Sequence, residues 1–369
     1  MGGDFLFKRI LICVLIFLSV GRLVCGQEIS AKSAILYEPV TKRIVFEKNA
    51  YEKLPMASTT KIITAITAIE NMNINDVVTT SKRASLVEGS SIWLEEGEKL
   101  SLLDMLYGLM LSSGNDSAIA IAEHKGYDEF IKLMNETAVK AGAVNTSLKN
   151  PNGLDEEGHF TTAYDLALIS AYAMKNDVFK EIVSTKEKQI PWQDHQWMRT
   201  LKNHNKMLRL YDGANGIKTG FTKKDGRCLV SSAERSGIEL ICVTLNAPDD
   251  WNDHKNLLDY GFSVFENKKV EILCKSIEVL FGKKQNVLLY PNEEVFIPVM
   301  KNDSINVKYN IPEKINAPIK INQAVGSAEI YLNNQLFKTV KMCAEEEISV
   351  DYLSKFKYEL LNLIRLTIK

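Results

Sequence analysis

The stretch LPMASTTKIITAITAIEN, residues 54–71, decides how the rest of the chain is read. From residue 58 onward its isoleucines, Ile62, Ile63, Ile66 and Ile69, recur at helical spacing and predict a helix over 58–71 with one apolar face. Ser58 and Lys61 stand three residues apart on the first turn, so hydroxyl and amine share a face. A serine hydroxyl is a weak nucleophile until a base takes its proton. A lysine serves as that base where burial or a neighbouring cation favours its neutral form. The helix N-terminus adds backbone N–H groups aimed at developing negative charge. An SxxK pair alone says little, because roughly one or two arise by chance in a chain this long. A second pair, Ser354 and Lys357, is read as such an accident.

Outward from this segment, two more short motifs carry chemistry. Ser113-Gly114-Asn115 falls in a break between two helical stretches. A hydroxyl there relays protons, and a carboxamide both donates to and accepts from an amide, although a polar helix cap reads the same way. Lys218-Thr219-Gly220 precedes a late hairpin. A lysine and a hydroxyl hold a carboxylate, and glycine lets backbone approach a ligand closely. Chance predicts this tripeptide only about a tenth of the time.

The surrounding elements define the fold class. Residues 33–47 alternate about Glu38-Pro39-Val40-Thr41 and read as a hairpin. Helices are predicted over 100–111, 115–124, 127–141 (stopped by Gly142) and, from a capping-box-like Thr162–Asp165, to residue 174. Strands return over 227–233 and 238–246, followed by a helix over 250–265. Strands at both ends and helices between predict an α+β unit, an antiparallel sheet closed around a helical cluster. Beyond about residue 267, short β-rich runs such as 287–290, 295–299 and 328–332 alternate with Asn, Pro and Gly turns and read as a small all-β domain. The expected division is 1–26 signal peptide, 27–266 catalytic domain, 267–347 β-domain and 348–369 helix.

The order SxxK, SxN about 55 residues on and KTG about 105 residues further resembles the signature of the penicillin-recognising serine acyl enzymes. The segments LPMASTTK (54–61), LSSGNDSA (111–118), NPNGL (150–154) and GIKTGFT (216–222) resemble those of the serine D-alanyl-D-alanine carboxypeptidases, the low-molecular-mass penicillin-binding proteins. The likeness covers about residues 30–265, with a β-domain and terminal helix following as in that family. It implies a penicillin-binding/β-lactamase-like transpeptidase domain, peptidoglycan stem peptides as substrate, β-lactams as acylating mimics and no cofactor. By the same resemblance Ser58 attacks the peptide carbonyl between two terminal D-alanines, with Lys61 as general base. Ser113 relays protons among Lys61, Lys218 and the leaving group, and Asn115 holds the substrate amide. Lys218 and Thr219 bind the terminal carboxylate beside Gly220. The backbone N–H groups of Ser58 and Phe221 form the oxyanion hole. Two departures stand out. Phe221 replaces a histidine common in relatives, and no arginine lies between Arg235 and Arg365, so help for the carboxylate is missing or comes from a lysine such as Lys223. A β-lactamase, an endopeptidase and a catalytically weak wall-binding module remain rival readings. Glu156-Glu157 lies at about the position of the deacylating glutamate of class A β-lactamases but lacks that motif's following leucine and asparagine, and reads as a solvated loop.

Composition narrows the setting. The chain has 369 residues, 46% hydrophobic and 25% charged, with net charge -1. That composition suits a sizeable core and offers no basic excess for nucleic acid. Lys8 and Arg9 precede a short apolar run over 10–20, which Arg22 interrupts. This pattern reads as a secretory signal cleaved before Gln27, with an uncleaved anchor as the alternative. Cys228, Cys242, Cys274 and Cys343 show no CxxC spacing and are read as free thiols, mostly buried. The five histidines lie in no metal-ligand spacing, so no metal is expected and surface or structural roles are assigned. Trp192 and Trp197, in a polar loop before KTG, read equally as substrate stackers or as edge packing. In the last segment Leu353, Phe356, Leu360, Leu363 and Ile364 form an apolar stripe with a basic bias, read as a helix resting on an anionic membrane surface. The expected location is outside the cytoplasmic membrane, peripheral on its outer face.

Overall fold

The structure, a computed structural model, describes residues 28–367, with side chains to residue 364. The signal reading over 1–26 and the last two residues of the expected terminal helix lie outside the described residues. The chain divides into two compact units. The first holds the residues up to Tyr37 together with Ile44–Ala233 and Leu240–Tyr260, and the second holds Glu38–Arg43, Glu234–Glu239 and Gly261 onward.

In the first unit a five-stranded sheet runs in the order Arg43–Lys48, Ser33–Glu38, Ile238–Leu245, Gly226–Arg235, Ala214–Thr222. The Ser33–Glu38 strand pairs antiparallel with Ile238–Leu245, Ser33 facing Leu245 and Tyr37 facing Ile241. First and last strands of the unit are therefore neighbours, as their positions at its two ends predict. Ala214–Thr222 pairs antiparallel with Gly226–Arg235, and this register sets Phe221 opposite Arg227.

Its main helices, in chain order, are Lys61–Asn71, Leu102–Leu111, Asn115–Lys125, Tyr127–Lys140, Ala163–Ala173, Asp177–Ser184 and Asp250–Val264. Two of their starts are capped as side-chain chemistry dictates. The Ser101 hydroxyl accepts from Asp104 N at 3.1 Å, and the Thr162 hydroxyl accepts from Asp165 N at 3.0 Å. Gly142, at φ 89°, ends the fourth where a left-handed residue is needed. Ile62, Ile63 and Ile66 are buried in one core with Met105, Leu109, Phe130 and Phe179. Each such side chain contributes about 1.5–3 kcal/mol through burial.

The nucleophile segment differs from expectation. The segment carrying Ser58 is a 3₁₀ turn, Ala57–Thr60, and the α-helix starts at Lys61. Ala57 takes a left-handed φ of 48°, and the hydroxyls of Thr59 and Thr60 donate back to the carbonyls of Met56 (2.5 Å) and Ala57 (2.9 Å). These side chains supply local partners that tighten the turn. In a 3₁₀ turn residues i and i+3 eclipse, which aligns Ser58 with Lys61 more closely than an α-turn does.

The second unit carries a six-stranded sheet in the order Ile305–Asn310, Ala324–Leu332, Gln335–Ala344, Asn286–Pro291, Lys275–Leu280, Lys314–Asn316. Glu266–Lys269 pairs separately with Phe296–Val299. The terminal helix spans Tyr352–Thr367. It starts later than the sequence pattern indicates, because Ile348 and Val350 bridge to Ile319 and Gly282 in extended form.

Candidate active site

Lys61 is fully buried, and its Nζ lies 2.9 Å from Ser58 Oγ, 2.7 Å from Asn115 Oδ1 and 2.7 Å from the Asn152 carbonyl oxygen. Burial holds its pKa well below the usual lysine value, the nearby Lys218 ammonium lowers it further, and Asp116 opposes both. Lys218 is buried too, and burial brings its pKa down to about 7; its Nζ donates to the Thr219 carbonyl at 2.8 Å.

Three loops fix this geometry. Asn115, buried at the start of its helix, donates through Nδ2 to the Glu88 carbonyl, and its backbone N–H donates to Ser90 O at 2.7 Å. Ser113 precedes it in a left-handed conformation, φ 60°. Gly153 presses against the nucleophile turn: a Cβ there would lie 1.9 Å from the Ala57 carbonyl oxygen, and its φ is 84°. Gly220 brings the Ala214–Thr222 strand to the same turn, where a Cβ would sit 3.1 Å from Ser58 N. Glycine is required at Gly153, and at Gly220 any side chain would crowd the nucleophile turn.

Ser58, Ser113, Thr219, Gly220 and Phe221 line one cleft of about 330 Å³. Lys61, Asn115 and Lys218 support it from beneath. All eight motif residues therefore meet in one place. The chance SxxK copy does not: Ser354 lies exposed in the second unit, its hydroxyl bonded to Asp351. Glu156 lies exposed in a loop and accepts from Asn150 Nδ2.

Several cleft residues escape the sequence reading, among them Ser90, His204, Lys206 and Arg227. His204 lines the cleft rather than the general surface, with its pKa lowered by burial and by Lys218. Lys206 joins it. Arg227 supplies the guanidinium that sequence order leaves without a source, whereas Lys223 is exposed and absent from the lining. Arg227 is braced by Asp250, with Nε–Oδ1 at 3.0 Å and a second nitrogen at 2.8 Å, and its guanidinium lies 5.6 Å over the Trp251 ring. The register opposite Phe221 puts it there.

Two other histidines are structural, as read. His254 is buried between the Ser231 and Thr244 hydroxyls, and His159 bonds Thr60 Oγ1 at 2.9 Å. Among the described residues no group of three or more His, Cys, Asp or Glu is gathered as a metal site. Cys228, Cys242 and Cys343 are buried free thiols, and Cys274 is exposed. Burial pushes the Cys228 thiol up to about 12, out of the reactive range.

Behind the cleft, Asp225 is buried with neither carboxylate oxygen bonded to a protein donor. Burial and then the Asp155 carboxylate raise its pKa above the ordinary value. A carboxyl raised on folding favours the native state at low pH and loses that advantage as pH rises through its folded pKa. Asp225→Asn is therefore expected to raise the melting temperature at pH 8 more than at pH 4. Equal shifts at both pH values in thermal melts would contradict this.

The cleft thus sets a serine hydroxyl against a buried lysine amine, an arrangement suited to a serine hydrolase. Residues 22–249 match the family model for D-alanyl-D-alanine carboxypeptidase, and residues 262–349 match that for the C-terminal domain of penicillin-binding protein 5. The chain is 34% identical to the D-alanyl-D-alanine carboxypeptidase DacF of Bacillus subtilis over 337 residues, 86% of each chain. It is 32% identical to DacC of Escherichia coli over 346 residues, 88% of this chain and 85% of that one. Among solved structures, penicillin-binding protein 5 of Haemophilus influenzae matches with a TM-score of 0.65 at 25% identity, covering 88% of this chain and 99% of that one. The Streptomyces K15 DD-transpeptidase matches with a TM-score of 0.62 at 32% identity, covering 65% of this chain and all of that one. This chain belongs to the D-alanyl-D-alanine carboxypeptidase family.

Proposed function

We propose that the protein removes the terminal D-alanine from peptidoglycan stem peptides through an acyl-enzyme on Ser58, and that β-lactams acylate the same serine. The observation that carries this reading is the setting of Lys61 Nζ. A neutral amine has two N–H groups, which Asn115 Oδ1 and the Asn152 carbonyl accept, leaving its lone pair for the Ser58 hydroxyl at 2.9 Å. Burial and Lys218 favour that neutral form.

In the first step Ser58 Oγ bonds to the scissile carbonyl carbon while its proton passes to Lys61. The carbonyl oxygen becomes an oxyanion held by the N–H groups of Ser58 and Phe221. The C–N bond then breaks, and the departing D-alanine amine takes the proton from Lys61 by way of Ser113. Water, deprotonated by Lys61, hydrolyses the ester and restores Ser58. Asn115 positions the substrate amide, and Gly220 keeps the strand close. Incubation of the protein with a pentapeptide muropeptide tests the reading by mass spectrometry: loss of one alanine supports it, and an unchanged mass, or cleavage only at crosslinks, sinks it.

The substrate's terminal carboxylate falls to Lys218, Thr219 and Arg227. Arg227 shares the cleft wall with Thr219, and Asp250 orients it without enclosing it. A lost charge-assisted hydrogen bond is worth about 1.5–3 kcal/mol. Arg227→Ala is thus expected to lower kcat/KM about 10- to 100-fold on a peptide ending in a free carboxylate and to leave its C-terminal amide unaffected. Equal losses on both substrates would assign Arg227 to structure.

The terminal helix forms the remaining part of the proposal, with residues 27–266 as catalytic domain and 267–347 as β-domain. Leu353, Phe356 and Leu360 stay exposed along it, while Tyr358 packs on the Phe281 ring at 5.1 Å. No helix among the described residues is long and apolar enough to cross a membrane. An amphipathic helix with an exposed apolar stripe and lysines at 355 and 357 suits an anionic lipid surface. Together with the secretory reading of residues 1–26, this puts the proposed site of action outside the cytoplasmic membrane, on its outer face. Deleting residues 352–369 is expected to release it from anionic vesicles in flotation at low salt without changing hydrolysis of a soluble peptide. Full-length protein that does not float would rule the anchor out.

A further inference from the structure

An aromatic surface beside the cleft has no part in the acyl-transfer chemistry. Trp93 is 75% exposed and Trp197 63% exposed, an uncommon display for the largest apolar side chain. The display is built. Trp93 holds a left-handed φ of 63°, a conformation that bulky residues avoid. Its N–H donates to Ser91 Oγ at 2.8 Å, and that hydroxyl donates to Asp116 Oδ2 at 2.6 Å. The N–H groups of Ile92 and Leu94 donate to the same buried carboxylate, at 3.0 and 3.1 Å. Both neighbours of Trp93 are pinned inward, and the indole is turned out. Strain held in place this way is a mark of ligand sites.

The second half of the surface rests on the same frame. Arg199 is buried and grips Glu98 with two nitrogens, at 2.8 and 3.1 Å. It donates to the Trp93 carbonyl at 3.2 Å and lies 4.7 Å over the Trp192 ring. From Trp192 the rings continue through His195 at 4.3 Å to Trp197 at a further 5.2 Å. Glu95, Glu96, Gln193, Asp194 and Gln196 are exposed around these rings.

Position and chemistry identify the occupant. Ser90 and His204 line the catalytic cleft. Trp93 is three residues from Ser90, so the two Cα atoms lie at most about 11 Å apart. Trp197 is seven residues from His204, at most about 25 Å. An extended ligand spans such distances and can touch both the rings and the cleft. Flat apolar rings fringed by carboxylates and carboxamides suit a pyranose, whose axial C–H face is apolar and whose rim carries hydroxyls and acetamides. The acidic fringe repels an anionic lipid surface.

We propose that Trp93 and the Trp192–His195–Trp197 row form a carbohydrate-binding platform that holds the glycan strand, a β-linked chain of N-acetylated hexosamines, to which the stem peptide is tethered. The proposal rests on the peptidase reading for the tether but not for the binding itself.

Tryptophan fluorescence of the full chain titrated with the N-acetylglucosamine hexasaccharide tests it, alongside cosedimentation with peptidoglycan sacculi. Saturable quenching is expected, weakened about 10-fold or more by Trp93→Ala and by Trp197→Ala and partly restored by Trp93→Phe. Hydrolysis of a short soluble D-Ala-D-Ala peptide should stay within about twofold in these variants, while KM on sacculi rises. Absence of hexasaccharide binding by the unaltered protein, or binding by Trp93→Ala and Trp197→Ala as tight as by the unaltered protein, would overturn the platform. So would a parallel loss on the soluble peptide, which would make the rings part of the peptide cleft. Trp93-dependent flotation with anionic vesicles would assign the surface to lipid instead. A protein that binds the hexasaccharide through Trp93 yet hydrolyses no D-Ala-D-Ala peptide would leave the platform standing and remove the peptidase reading.

Discussion

Ser58→Ala is expected to abolish both D-alanine release and covalent penicillin labelling, lowering kcat by about 10⁴-fold or more. Without Oγ no acyl-enzyme forms, and the remaining cleft only positions the substrate. The hydroxyl makes a single side-chain bond, to Lys61 Nζ, so its loss disturbs little else. The melting temperature should therefore stay within about 3 °C, the shift that roughly 1 kcal/mol produces in a domain of this size. Thermal melts and gel fluorography of a labelled penicillin read both quantities. Ser354→Ala serves as the control and should change neither. Labelling retained in Ser58→Ala would move the nucleophile elsewhere.

Lys61→Met carries the second largest effect. Methionine matches the length and volume of the buried stem but offers no lone pair to Ser58. General-base assistance is worth about 10²–10⁴-fold, so acylation should slow by about 10³-fold. Asn115 Oδ1 and the Asn152 carbonyl also lose their donor, each at about 1–3 kcal/mol. Removal of a desolvated amine beside Lys218 offsets part of that cost. The variant should fold, melt several degrees lower and acylate slowly. Stopped-flow acylation within 10-fold of the unaltered rate would show that the proton leaves Ser58 by another route.

The sequence reading succeeds where one residue's chemistry sets the local outcome. Thr162 caps its helix through Asp165, Gly142 ends another, and the isoleucines of 62–66 face the core as their spacing demands. The three motifs converge because two lie at helix starts and the third lies on the Ala214–Thr222 strand, which Gly220 brings against the Ser58 turn. What stays hidden depends on pairing across the sheet. Arg227 reaches the cleft only because the register sets it opposite Phe221, so a search farther along the chain, between Arg235 and Arg365, misses it. His204 enters the cleft through a backbone bond from its N–H to Leu111 O, a contact between segments 93 residues apart. The 3₁₀ turn at Ser58 depends on the hydroxyls of Thr59 and Thr60 and on Gly153 pressing from a distant loop. Likewise, Trp192 and Trp197 read as loop residues until Arg199 is seen to join them to Trp93.

The central claim is that Ser58, activated by a neutral Lys61, forms the covalent intermediate. Peptide mapping of the protein after brief exposure to benzylpenicillin tests this most directly. A single adduct on the peptide that contains Ser58, absent after Lys61→Met at the same exposure time, is the result predicted. An adduct on Ser113 or on any other residue, or none at all, would contradict it.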